Sequence, residues 1–135
     1  MGIQIEVAPG ELIDKLSILE IKLERIGDEA KRRNVAIEFD ILTRALEESV
    51  EDSQALNALR AELKSINEAL WVIEDEIREC ERAKDFGPEF IRLARAVYHT
   101  NDRRAEVKRQ INDLLGSEIR EEKSYAPYDP SGPGA

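Results

Sequence analysis

Side chains that could bind a small ligand are concentrated between positions 98 and 104. A planar arginine guanidinium can hold an anion through two hydrogen bonds, and tyrosine, asparagine and aspartate add donors and acceptors. Two interpretations stay open. One is a site for a sugar or phosphate type of ligand between two helices, and the other is a buried polar layer that fixes helix register. The stretch contains Tyr98, His99, Asn101, Asp102, Arg103 and Arg104.

Trp71 is the single tryptophan, and it lies beside the main apolar row of its helix rather than on it. An indole that faces away from such a row must meet another surface. That surface is the first two helices, a second copy of the chain, or a ligand, and the sequence favours the first two helices. The residues predicted to bind a ligand between the two long helices are Asn67, Trp71, Asp75, Tyr98, Asn101, Arg103 and Arg104.

Catalytic signatures are missing from the sequence. His99 is the only histidine, and no Glu-x-x-His pair of the kind found in di-iron bundles is present. Cys80 continues an apolar row and is predicted to pack as a small apolar side chain. There is no glycine-rich phosphate loop. We therefore predict no catalytic residue, no metal and no cofactor, and a protein that is more plausibly a binding module than an enzyme.

Composition restricts the possible partners. The chain has 135 residues and a formal net charge of −9, which disfavours nucleic acid and anionic membrane surfaces. No apolar run approaches the roughly 18 residues of a membrane helix. One cysteine cannot form an internal disulfide, which suits a reducing compartment. We expect a cytoplasmic protein.

The longest predicted helices form an antiparallel hairpin. Apolar residues from Leu56 to Cys80 alternate at spacings of three and four, as in a coiled-coil seam. This predicts a helix over about 53–83, capped by Asp52 or Ser53. Gly87-Pro88 restarts a second helix over about 88–115, and the short connection makes the pair antiparallel. Its inner stripe is predicted to be Phe90, Ala94, Val97, Asn101, Ala105, Lys108, Ile111 and Leu115.

The remaining segments complete an all-α, four-helix bundle-like fold. A helix beginning at Pro9 and another over about 29–48 are predicted to pack on the hairpin, because both carry an apolar stripe. Residues 3–7 alternate in polarity and predict a short strand or an extended arm lying on the helices. Residues 1–126 form one domain, and the Pro/Gly-rich residues 127–135 are predicted to be a disordered tail.

Several stretches resemble a family of small bacterial and viral helical domains of unknown function. They are Pro9 to Leu16 with Ile18 to Lys22; Asn67 to Trp71 with Ile73 to Asp75; Val97-Tyr98 with Thr100 to Ala105; and Gly116-Ser117 with Glu122 to Tyr125. The resemblance covers roughly residues 9–126 and implies no established activity. It draws attention to Lys15, Asp102 and Lys123 in addition to the residues above.

The functional prediction is a non-enzymatic helical module for protein interaction or oligomerisation. Surplus apolar residues on the helices motivate it, and a homodimer, a protein partner or both would cover them. The alternative is a small-molecule or anion-binding protein, or an enzyme, with its site near Trp71, Tyr98, Asn101 and Arg104.

Overall fold

A computed structural model describes residues 1–131 of the chain. Four helices follow one another: α1 (Pro9–Arg25), α2 (Glu29–Ser49), α3 (Gln54–Arg82) and α4 (Pro88–Leu114). No strand occurs in this part of the chain. The all-α prediction and its long antiparallel hairpin, α3 and α4, are confirmed.

The helix ends follow local chemistry. Pro9 and Pro88 occupy first-turn positions, where a missing N–H is harmless. The Ser53 hydroxyl accepts the Leu56 N–H at 3.1 Å and caps α3. Gly116 follows α4 with φ of +65°, a left-handed conformation that glycine adopts without strain. These signals place the predicted boundaries within about two residues of the observed ones.

Only α1 lies directly on the hairpin. It crosses α3 and α4, whereas α2 lies against α1 and has no backbone approach of its own to either long helix. Both short helices therefore contribute to the bundle, α1 by close backbone contact with the hairpin and α2 through its side chains. Leu46 of α2 reaches the core cluster, which also contains Ile13, Leu63 and Ile111. The core thus sits where α1 crosses the hairpin.

Gly10 sets the distance between α1 and α4. Its N–H donates to the side-chain oxygen of Asn112 at 2.7 Å, and both residues are buried. A Cβ on Gly10 would stand 2.6 Å from the Lys108 carbonyl oxygen and 2.9 Å from the Asn112 oxygen. The two helices can approach this closely only because position 10 has no side chain.

The buried face of α4 is displaced by one position along the chain from the predicted stripe at four places between residues 93 and 108. Leu93, Thr100 and Val107 are buried, and Asn101 is only partly so. The row that faces α3 and α1 therefore contains Phe90, Leu93, Val97, Thr100, Arg104, Val107 and Ile111. The assignment of Asn101 to the core is wrong, because Thr100 takes the buried position and Asn101, about 100° further around the helix, lies at the edge of the interface.

The two ends of the chain differ in their contacts. The arm before α1 is extended, but it does not lie on the helices, because Ile3 is 82% and Ile5 75% exposed. At the other end, residues 117–131 have no helix and fold back along α4, where Tyr128 contacts Asp102. The predicted tail begins at residue 127, and its last part, residues 132–135, lies outside the described residues.

Candidate functional site

Asp14 of α1 is the centre of a polar cluster between three helices. Its side chain is 2% exposed. One carboxylate oxygen accepts the Asn67 amide of α3 at 2.8 Å and the Arg104 Nε of α4 at 2.9 Å, and the other accepts the Arg104 Nη2. Burying a carboxylate is tolerable only when it is paired and hydrogen-bonded, as here. Asp14 thus joins the three helices at one point.

Ser17 extends this cluster along α1. Its hydroxyl donates to the Asp14 backbone carbonyl at 2.7 Å and accepts the Asn67 amide at 2.7 Å. The hydrogen bond with Asp14 raises the pKa of Arg104, despite partial burial, so the guanidinium stays charged. Neither Asp14 nor Ser17 was predicted from the spacing of residues to belong to the site, although the sequence contains a signal for both. Asp14 and Ser17 stand on a face of α1 otherwise formed by Ile13 and Ile21.

Lys108 ties the C-terminal segment to the same region. Its ammonium lies 2.7 Å from Glu11 of α1 and 3.0 Å from Glu121 beyond α4. Burial opposes the charged form of Lys108, but hydrogen bonds to these two carboxylates outweigh it and raise the pKa of Lys108. The same bond lowers the pKa of Glu121. Lys108 and Glu121 therefore carry full charge at neutral pH.

A first groove runs between α1, α3 and α4 and has a volume of about 440 Å³. We call it the Trp71 groove. Trp71 is half-buried there and shares the wall of the groove with Ile18 of α1. The cover of the indole by the first two helices stays a prediction. The groove brings together five of the seven predicted binding residues, namely Asn67, Trp71, Asp75, Asn101 and Arg104. Their role in binding stays a prediction.

A second, larger groove of about 990 Å³ lies between α4 and the C-terminal segment, and we call it the C-terminal groove. Asn101 lines it as well, so the two grooves adjoin. Tyr98, the sixth predicted residue, lines this groove rather than the first one. Arg103, the seventh, is exposed and lines neither groove. The other main lining residues are Val97, Asp102, Lys123, Tyr125 and Tyr128.

Tyr128 holds the C-terminal segment against α4 at one end of the C-terminal groove. Its hydroxyl donates to Asp102 at 2.6 Å, which raises the pKa of Tyr128 to about 12 because the bond favours the protonated phenol. Its ring meets those of Tyr98 and His99 edge-on, with ring centres 5.1 Å apart in each case. This aromatic cluster holds the segment against α4 without any regular secondary structure.

The stretches that carried the family resemblance meet around these grooves. They contribute Asp14, Trp71, Asn101 and Lys123 from four separate parts of the chain. Residues 3–133 match the model of the family described as "Family of unknown function (DUF6165)". The chain belongs to this family. No curated protein and no solved structure gives a significant match to this DUF6165 chain.

Two features are absent from residues 1–131 of this DUF6165 chain. None of the helices there is long and apolar enough to cross a lipid bilayer. That part of the chain also contains no group of three or more histidine, cysteine, aspartate or glutamate side chains that could hold a metal ion. His99 instead stacks on the ring of Tyr98, with ring centres 5.0 Å apart.

Replacing Asn101 with leucine tests its position at the groove edge. Because Asn101 is only partly buried and its side-chain amide has no hydrogen bond to another described residue, Asn101→Leu should change the free energy of unfolding by no more than about 0.5 kcal/mol. Urea unfolding followed by circular dichroism measures this. A loss of about 2 kcal/mol or more would instead mean that the amide belongs to the buried network.

Proposed function

We propose that the protein is a non-enzymatic helical interaction module that forms a homodimer through the half of the hairpin beyond α1. We call this half, residues 72–82 of α3 and 88–98 of α4, the distal hairpin. One observation carries the proposal: of residues 72–99, Leu93 alone is buried. The coiled-coil residues Ile73, Ile77 and Cys80 are only partly buried there.

The reason for this exposure is geometric. A seam between two helices leaves each a and d side chain open at its flanks, and a third or fourth helix normally covers them. Around Asn67, α1 supplies that cover. The distal hairpin has none, and Val72 and Ile91 add apolar surface that is 40% and 54% exposed. Such surface is typical of a docking face.

The charges of the distal hairpin favour a second copy of the chain as the partner that covers its apolar face. Residues 72–82 of α3 carry five carboxylates and two arginines, whereas residues 88–98 of α4 carry two arginines and one carboxylate. A two-fold axis that places α3 of one copy beside α4 of the other makes the acidic helix face the basic one twice. The product is a four-helix bundle built from two hairpins.

A charge placed in this face should dissociate the dimer. Ile91→Glu buries two unpaired carboxylates at the two-fold interface, which costs several kcal/mol. Multi-angle light scattering at micromolar concentration should give twice the 15.3 kDa chain mass for the wild type and 15.3 kDa for the variant. Because Ile91 is half-exposed, circular dichroism should show that the variant keeps its helices.

Ile37→Glu is the matched control. Ile37 lies on the outer face of α2, is 61% exposed and has the same side chain, but it is outside the distal hairpin. This variant should stay dimeric. A wild-type mass of 15.3 kDa would contradict the proposal, and so would dissociation by Ile37→Glu with Ile91→Glu still dimeric.

The location we propose for this module is the cytoplasm. Cys80 is a free, partly buried thiol in the seam. Burial and neighbouring carboxylates raise the pKa of Cys80, which keeps the thiol protonated and unreactive. A free thiol in an otherwise apolar row suits a reducing compartment.

A further inference from the structure

The C-terminal groove combines flat aromatic walls with separate polar groups. Tyr98 is 43% and Tyr125 80% exposed, so both offer ring surface to solvent. All three tyrosines of the chain line this groove. Stacking on such a ring is a general way to hold a nucleobase, because every base has a flat π-face.

Two polar side chains of the groove take no part in the polar cluster around Asp14. Within residues 1–131, the Asn101 amide makes no hydrogen bond, and the Lys123 ammonium makes no ion pair; it lies 6.0 Å from the centre of the Tyr125 ring. An amide offers both a donor and an acceptor, which matches the edge of a base. An ammonium matches a phosphate.

The charges around Lys123 leave its positive charge available. Glu121 bonds Lys108, and Asp102 accepts the Tyr128 hydroxyl. Arg104, which shares a small polar pocket with Lys123, is neutralised by Asp14. Lys123 therefore forms no ion pair with any described residue, and it is a cation of the groove that can bind an anion.

We propose that the C-terminal groove binds a nucleoside phosphate, with its base stacked on Tyr98 or Tyr125, its base edge at Asn101 and its phosphate at Lys123. The volume of about 990 Å³ fits this class, since pockets for small organic ligands measure about 300–1,000 Å³. Inorganic phosphate alone would leave the groove mostly empty. This site is independent of the distal hairpin and of dimer formation.

Isothermal titration calorimetry with AMP and UMP tests the proposal on the full chain. At least one of the two should bind with a dissociation constant below 1 mM. Adenosine and uridine lack the phosphate and should bind about tenfold more weakly, as should glucose 1-phosphate, which lacks the base. Inorganic phosphate should show no measurable heat.

Substitutions in the groove separate this site from nonspecific binding. Lys123→Gln should weaken the nucleotide about tenfold by removing the charged partner, and Tyr125→Leu should do so by removing a stacking surface. Both residues are exposed, so the fold should survive. Lys31→Gln, an exposed lysine on α2 outside both grooves, is the matched control and should bind like the wild type.

Three results would overturn the proposal: no binding of either nucleotide at millimolar concentration, equal binding of glucose 1-phosphate, or equal losses in Lys123→Gln and Lys31→Gln. The dimer proposal is separated from this one by Ile91→Glu. That variant should bind the nucleotide as the wild type does, because Ile91 does not line the groove.

Discussion

Asp14→Ala should lower the free energy of unfolding by about 3 kcal/mol, the largest loss expected from any single side chain of the polar cluster. Removing this carboxylate leaves the Asn67 amide buried with only Ser17 as a partner, and it leaves the Arg104 guanidinium unpaired. Arg104 is 28% exposed and can turn partly to water, which keeps the loss at the lower end of the range for broken buried ion pairs. Urea unfolding measures it.

A surface ion pair is the matched control for Asp14→Ala. Glu38 lies 3.4 Å from Lys15, and both side chains are about half-exposed. Glu38→Gln should therefore cost no more than about 1 kcal/mol. If the two variants lost equal stability, the central role of Asp14 would be refuted.

The double variant Asp14→Leu/Arg104→Leu distinguishes an uncompensated charge from lost packing. Replacing both partners of a buried ion pair with apolar side chains is often neutral or stabilising, because no charge remains buried. The double variant should therefore unfold at a higher urea concentration than Asp14→Ala. A further loss on removing Arg104 would contradict the expectation and would show that Arg104 stabilises the fold through other contacts.

Gly10→Ala should lower the free energy of unfolding by about 1–3 kcal/mol, the typical cost of forcing an extra carbon into a packed site. The new Cβ would stand 2.6 Å from the Lys108 carbonyl oxygen. This atom belongs to the backbone of α4, so relief requires a shift of a whole helix. Alanine is intrinsically better than glycine in a helix by about 1 kcal/mol, so a net loss would be caused by the close contact.

Gly27→Ala supplies the control for this effect. Gly27 lies between α1 and α2, and nothing comes within 4 Å of a Cβ placed there. Alanine at this position should leave stability unchanged or raise it by up to about 1 kcal/mol, because the unfolded chain loses freedom. Thermal unfolding of the two variants makes the comparison. Equal stabilities would mean that α1 and α4 are not held in close contact at Gly10.

The sequence determined the helices and their ends. Apolar residues at spacings of three and four predict α3, and the prolines at positions 9 and 88 start two helices because they fit the first turn. The hairpin follows from the short connection after Arg82. These features depend on neighbouring residues alone, so the sequence suffices. Asn67 and Arg104 were also expected to lie close together, and both bond Asp14.

Only the tertiary structure decided which face of α4 is buried. A row through Ala94 and Asn101 and a row through Leu93 and Thr100 fit the helical period almost equally well, because they differ by one residue. The second row places Arg104 in the interface, and the cost of burying its charge makes this row the less favourable choice from the sequence. Asp14, 90 residues away in the chain, makes that position acceptable by pairing with the guanidinium. The pattern of apolar residues within one helix cannot reveal a counter-ion that lies so far away in the chain.

The arrangement of the grooves likewise depended on tertiary contacts. Position 128 was expected to lie in a tail without core-forming residues, yet Tyr128 meets Asp102 and His99 across 26 and 29 residues of chain. The C-terminal groove exists because of that return. The distal hairpin stays uncovered for the corresponding reason: α1 crosses the hairpin at Asp14, and α2 lies on α1. The spacing of apolar residues predicts that a helix face is apolar, whereas contacts between distant segments of the chain decide what covers that face.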